Sequence, residues 1–368
     1  MSSKKIAQHK EPLLHITKRD APVWYVGIII RAVAIIAALV ACSAVIVLMT
    51  GLNPIDVYTK MIEGSFGTER KFWIFLQNIA MLLCISLAVT PAFKMKFWNL
   101  GAEGQVLVGG LASAACMFYA KDSLPNGALI ALMLVASIAA GIIWAIIPAV
   151  FKAQWGTNES LFTLMMNYVA MQLVAFCIMV WVPSGSSVMG IINQKSESGW
   201  LPVFLGQKYG LNILIVAVLT VAMYIYLKYS KQGYEISVVG ESENTARYIG
   251  INVKKVIIRT LLVSGAVCGI AGFLLVSGTN HTISKDIAGG MGFTAIMVSW
   301  LAKFNPAMMV VTSFLIVFLQ RGSGEIATAF RLNQSVADIL TGIIIFFIIG
   351  CEFFINYKIN LRSKHKEG

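Results

Sequence analysis

Ten apolar runs separated by short polar stretches leave this chain few ways to fold. They are Ala32–Met49, Ile74–Ala92, Val106–Ala120, Ala128–Phe151, Leu161–Val182, Leu211–Leu227, Val256–Ser277, Met291–Ala302, Pro306–Gln320 and Ser335–Tyr357. A helix needs about 20 apolar residues to cross the hydrocarbon core of a bilayer. The composition agrees, with 58% apolar and only 12% charged residues, against roughly 25% charge in a soluble domain. The expectation is an all-α polytopic membrane protein of about ten transmembrane helices.

The net charge of +12 would point to nucleic acid in a soluble protein; here the position of each charge matters more. With the amino terminus inside and every run crossing, inner segments hold 19 Lys and Arg and outer segments 9. Positive residues concentrate on the cytoplasmic side, so both termini are expected inside, and the basic excess serves topology instead of nucleic-acid binding. The expected organisation is a basic cytoplasmic tail over 1–24, a transmembrane body over 25–357 and a cytoplasmic tail over 358–368. The first apolar run is too long for a signal-peptide core and is read as an uncleaved helix.

Two runs are too short to cross, 15 residues in Val106–Ala120 and 12 in Met291–Ala302. They are third and eighth in order, matching positions if the body is two halves of five, over 25–183 and 211–357. Glycines open each one: Gly101, Gly104, Gly109 and Gly110 in the first, Gly289, Gly290 and Gly292 in the second. Paired, glycine-broken segments in corresponding places of two halves point to a transport site at the repeat interface. Irregular backbone at membrane depth is tolerated only against protein or a water-filled cavity, so the breaks imply a pore or a packed interior.

Enzyme signatures are scarce. Three of the four histidines, His9, His15 and His365, lie in the tails, leaving His281, and neither a metalloprotease helix, a nucleophile elbow nor a phosphate-binding loop is present. Cys42, Cys84, Cys116, Cys177, Cys268 and Cys351 fall inside apolar runs without metal-ligand spacing and read as small core residues. Arg31, Arg259, Asp338 and Glu352 border the runs and are read as snorkelling or paired near helix ends. Buried acidic relays, which an ion-driven carrier needs, are missing from the pattern.

Polar residues gather instead in two loops. In W-N-L-G-A-E-G-Q, Trp98–Gln105, the side chains of Asn99, Glu103 and Gln105 can satisfy backbone groups at the break. In the second, Gly156–Tyr168, Thr157 or Asn158 can cap a helix beginning near Ser160, with Glu159 in its first turn. Asn167, about two turns further on, must find a partner: a neighbouring helix, or a substrate hydroxyl or base edge. The longest inner loop, 228–255, offers Ser242 as cap, Glu243 in the first turn, Ala246 and Ile249 on one face, and Gly250 as a left-handed stop. Two turns of helix do not persist alone in water, so the segment rests either on a partner protein or on its own bundle.

From about Ile74 onward the chain resembles the permease subunits of bacterial ABC importers of the branched-chain amino acid and simple-sugar class, the nucleoside permeases in particular. W-N-L-G-A-E-G-Q is similar to the family's F-N-I-G-x-E-G-Q. G-T-N-E with T-L-M-M-N-Y-V-A, within Gly156–Ala170, is similar to the nucleoside type and is the most specific of the three motifs. G-M-G-F-T-A-I-M-V-S-W-L-A-K-F-N-P, Gly290–Pro306, follows the third motif but carries Ala295, Trp300 and Ala302 where glycine, leucine and glycine are usual.

The resemblance implies a ten-helix permease fold of the vitamin B12-importer type (type II) and no catalysis by this chain. It places a coupling helix at Gly240, Glu241, Ala246, Arg247 and Gly250, fitted into a cytoplasmic ATPase that would hold the ATP and Mg. It further implies a second, different permease subunit and an extracytoplasmic substrate-binding lipoprotein in the bacterial cytoplasmic membrane. The substrate pathway is expected near Asn99, Glu103, Gln105, Asn158, Asn167, Gly290 and Gly292. Simple sugars and riboflavin are the alternative substrates, because related permeases carry them. An ion-coupled secondary transporter is the rival class, and a membrane acyl- or glycosyltransferase a further one.

Overall fold

The computed structural model describes residues 14–18, 24–182, 189–204 and 206–361. Most of the basic tail expected over 1–24, and residues 362–368, lie outside the described residues, as do the side chains of Arg31 and Glu352. The chain forms two compact units, Met1–Ser65 with Leu319–Gly368, and Phe66–Phe318.

The first unit contains β1 (Leu14–Lys18), α1 (Trp24–Thr50), most of α2 (Pro54–Phe66) and, from the other end of the chain, α13 (Gln334–Asn356) and β2 (Tyr357–Leu361). The long apolar α1 packs along α13, and the Cys42 thiol meets the Leu340 carbonyl at 3.6 Å. α2 lies between the first two apolar runs, where the sequence predicts no helix. Asn53 accepts from Ile55 N at its start, Pro54 suits the first helical position, and Val57 and Met61 are buried while Ile55 and Ile62 are exposed. Five residues of the tail expected over 1–24 form a strand. β1 pairs antiparallel with β2, in a register that places Leu14 opposite Leu361, Ile16 opposite Ile359 and Thr17 opposite Lys358.

The second unit holds α3 (Glu69–Lys94), α4 (Ala102–Tyr119), α5 (Asn126–Trp155), α6 (Glu159–Trp181), α7 (Gly210–Tyr229), α8 (Lys231–Glu241), α9 (Glu243–Tyr248), α10 (Val253–Leu275), α11 (Met291–Leu301) and the start of α12 (Pro306–Ala329). Its centre is α3 and α10, whose apolar windows are 72% and 78% buried, whereas α5, α6 and α7 are mostly outward-facing at 22–28%. Small residues let the centre close. A methyl group at Gly265 or Gly269 of α10 would overlap the α5 backbone at Gly141 or Ser137, so the G-x-x-x-G spacing brings the two backbones into contact.

Among the described residues, eight helices are long and apolar enough to cross a membrane. The two short ones, α4 with 18 residues and α11 with 11, complete the ten expected runs. All six cysteines are free, four of them buried.

Candidate functional site

The two interrupted helices meet at their amino-terminal ends, and residues expected at the site tie that meeting point together. Asn99 Oδ1 accepts from Gly101 N at 3.1 Å and from Gln105 Nε2 at 3.4 Å, while its Nδ2 donates to Ser264 Oγ of α10 at 3.2 Å. Asn167 of α6 receives Gly104 N at 2.8 Å and donates to the Leu100 carbonyl at 2.7 Å. Glu103 reaches across to α11, with Oε1 accepting from Gly290 N at 2.8 Å and Oε2 from Gly292 N at 2.7 Å. A helix start leaves its first N–H groups without internal partners; where they are buried from water, other groups of the chain must supply them. These side chains do.

Glycine is required at two points of the cluster. Gly290 has a φ of +74°, a left-handed conformation that suits the residue before α11. A Cβ on Gly292 would lie 2.6 Å from Glu103 N. The structure thus unites Asn99, Glu103, Gln105, Asn167, Gly290 and Gly292, and it buries all four side chains, each 3% exposed or less. None of them faces an open passage here. Asn167 in particular has both ends of its amide engaged by backbone. Its partner Thr163 escaped the sequence reading, although it lies one turn earlier on the same face of α6; its hydroxyl accepts from Leu100 N at 3.1 Å. The i, i+4 spacing of Thr163 and Asn167 was the available signal.

Asn158 stands apart. It caps α6 through Leu161 N at 3.1 Å, while Glu159 pairs with Lys152 at 2.7 Å across the turn from α5. Asn158 also borders an open, largely apolar hollow along the exposed side of α6, with Thr157, Leu161, Phe162, Met165, Met166 and Val169.

The 228–255 segment is two helices. Ser230 caps α8 and Ser242 caps α9, accepting from Gly233 N at 2.9 Å and Thr245 N at 3.3 Å. Gly250, with a φ of +86°, ends α9. Of the residues expected to meet a partner, Glu241, Arg247 and Gly250 are exposed, and Arg247 pairs with Glu243 at 3.1 Å. Ala246 and Gly240 are different. The Ala246 methyl is wholly buried in an apolar cluster with Met95, Phe97, Ile236 and Val239, and Gly240 lies so close to the Lys94 carbonyl that a side chain would overlap it. They fasten the segment to its own bundle; the outward face instead presents Tyr248, 93% exposed, and Ile249. Arg259 is paired with Glu235, as expected for a charge near a helix end, and Asp338 is exposed on α13.

The opposite end of α10 opens into a π-helical turn, Val276–Asn280, where Thr279 Oγ1 accepts from Gln77 Nε2 at 2.6 Å and Asn212 Nδ2 at 3.3 Å. Just beyond it the His281 ring stacks on Trp200, centroids 3.8 Å apart and planes 10° apart. Burial, reinforced by the charge of Lys208, pushes the His281 pKa down to about 4 against the pull of a Ser277 backbone contact. This stack ties residues 189–204 to the end of α10, together with Ile192 N donating to the His281 carbonyl at 2.8 Å and Leu201 N to Ser277 O at 3.1 Å.

Residues 72–349 match the family described as the branched-chain amino acid transport system permease component. The chain belongs to that family. Among individual relatives, this permease is 30% identical to the guanosine ABC transporter permease protein NupP of Bacillus subtilis, over 87% of this chain and 92% of that one. It is 27% identical to the nucleoside ABC transporter permease protein NupB of Lactococcus lactis, over 83% and 86% of the two chains. The glucose ABC transporter permease protein TsgB13 of Haloferax volcanii is 26% identical over 94% and 92%. The permease is therefore a non-catalytic, multi-pass membrane subunit of an ABC importer, with ATP hydrolysis on a separate subunit.

Proposed function

We propose that this permease translocates nucleosides across the bacterial cytoplasmic membrane as one of two non-identical permease subunits. In this reading the fold is of the vitamin B12-importer type, its two inverted halves cover 25–183 and 211–357, and both termini are cytoplasmic. A cytoplasmic ATPase holding ATP and Mg docks on the face of α9 around Glu241, Arg247, Tyr248 and Ile249. An extracytoplasmic lipoprotein delivers the solute, and this chain binds no cofactor itself.

The observation that carries the substrate class is the 30% identity with a guanosine permease over 87% of the chain, supported by the T-L-M-M-N-Y-V-A segment on α6. A simple sugar is the second reading, favoured by the glucose permease that matches 94% of the chain.

Uptake by the reconstituted importer tests both. ATP-dependent entry of labelled guanosine, displaced by other nucleosides and indifferent to glucose and riboflavin, is expected. Entry of glucose undisturbed by excess nucleoside would replace the first reading with the second. Uptake driven by an ion gradient without ATP would overturn both.

A further inference from the structure

Glu103 belongs to the first turn of α4, yet both its carboxylate oxygens bond the start of α11, through Gly290 N and Gly292 N. The residue is 3% exposed. The amino-terminal ends of two helices therefore approach one another, each carrying a fraction of a positive charge, and one carboxylate lies between them. The start of α4 is served by neutral groups: Asn167 accepts from Gly104 N, while Thr163 and Asn99 accept from Leu100 N and Gly101 N just before the helix. The anionic group serves the second broken helix.

We propose that Glu103 is a positioning residue, a charged latch that makes α4 and α11 travel as one body during transport. The path leading to it is short and packed. Gly240 of α8 abuts the Lys94 carbonyl at the end of α3, and Met95 and Phe97 share an apolar cluster with Ile236, Val239 and Ala246. Asn99 then ties the connection to Ser264 of α10, and Glu103 follows one turn later. A displacement of α8 and α9 reaches Glu103 through backbone and buried side chains.

At its other end α11 keeps separate attachments. Ser299 shares a hydrogen bond with Thr90 at 2.9 Å, and Trp300 lies against Trp98 with centroids 5.6 Å apart. Loss of the latch thus frees one end of α11 while the other stays docked, so the consequence falls on motion more than on folding. Because the carboxylate is fully engaged within the chain, it affects how closely transport follows ATP hydrolysis and not the affinity for solute.

The test uses the complete importer in liposomes, carrying Glu103→Gln, Glu103→Asp or Glu103→Ala, with uptake and ATP hydrolysis measured in parallel. Glutamine has nearly the same shape but turns an NH2 toward one of the two N–H groups. Solute moved per ATP should fall about tenfold, in line with losing a hydrogen bond to a charged acceptor, with the half-saturating solute concentration unchanged. Formate or acetate should restore coupling to Glu103→Ala by occupying the vacated space, and chloride should not. Should the alanine chain fail to accumulate, the glutamine and aspartate chains decide the matter.

Coupling equal to the parent in Glu103→Gln, or a raised half-saturation with an unchanged maximal rate, would overturn the latch. The solute-to-ATP ratio is read with whichever solute the complex carries. A complex that imports sugar removes the nucleoside reading and leaves this one standing.

Discussion

At the scale of single residues, the buried polar side chains at the start of α4 and α11 act first as substitutes for water. Asn167 shows this plainly: truncating Asn167→Ala would strand the Leu100 carbonyl and Gly104 N, at about 1–3 kcal/mol for each buried group. The expected outcome is a lower melting temperature of the purified permease with the ranking of transported solutes unchanged. A changed ranking at unchanged stability would show that the amide touches solute. His281 carries a pH signature. Its pKa is lowered to about 4 in the folded chain from an ordinary value near 6.5, so the unfolded chain binds the extra proton between those limits. The contribution of His281 to stability is complete above about pH 6.5 and declines as pH falls toward 4. His281→Phe keeps a ring against Trp200 without titrating, and thermal unfolding should lose that part of its pH dependence over this window.

Among the elements, α9 shows how a short helix persists by docking. Its six residues are too few to stand alone, so Ser242 caps one end, Gly250 closes the other and Ala246 anchors the middle. Ala246→Trp should consequently reduce the amount of folded permease before any ATPase is added. Tyr248→Ala, on the exposed face, should leave folding intact and weaken ATPase association by about tenfold or more, as for a tyrosine hot spot. Co-purification and thermal stability measured side by side separate the two effects. Ser242, Glu243 and Gly250 were legible because caps and stops are local chemistry. That Ala246 faces inward and Tyr248 outward was not, because two turns of sequence do not reveal which side has a bundle beneath it.

For the whole molecule, pairing of β1 with β2 brings residues 14–18 beside 357–361. Cysteines placed at Thr17 and Lys358, partners in the ladder, should cross-link on mild oxidation. An impermeant thiol reagent should label both from inverted vesicles and neither from intact cells; labelling of one alone would refute the shared cytoplasmic side. The ten apolar runs were readable from the sequence, since bilayer thickness demands a fixed length of apolar helix whatever its neighbours are. The alternation of Leu14 and Ile16 was also present in the sequence, but its partner strand lies more than 300 residues away. Asn99, Glu103, Gln105 and Asn167 could be chosen as polar residues needing partners, because a broken helix in lipid leaves backbone groups unpaired. Which groups they would satisfy could not, since Glu103 and Gly290 are separated by 187 positions. Only the packing of α3, α4, α6, α10 and α11 put a carboxylate from one broken helix against the amides of the other, for a hydrogen bond depends on distance in space and sequence order carries no such distance.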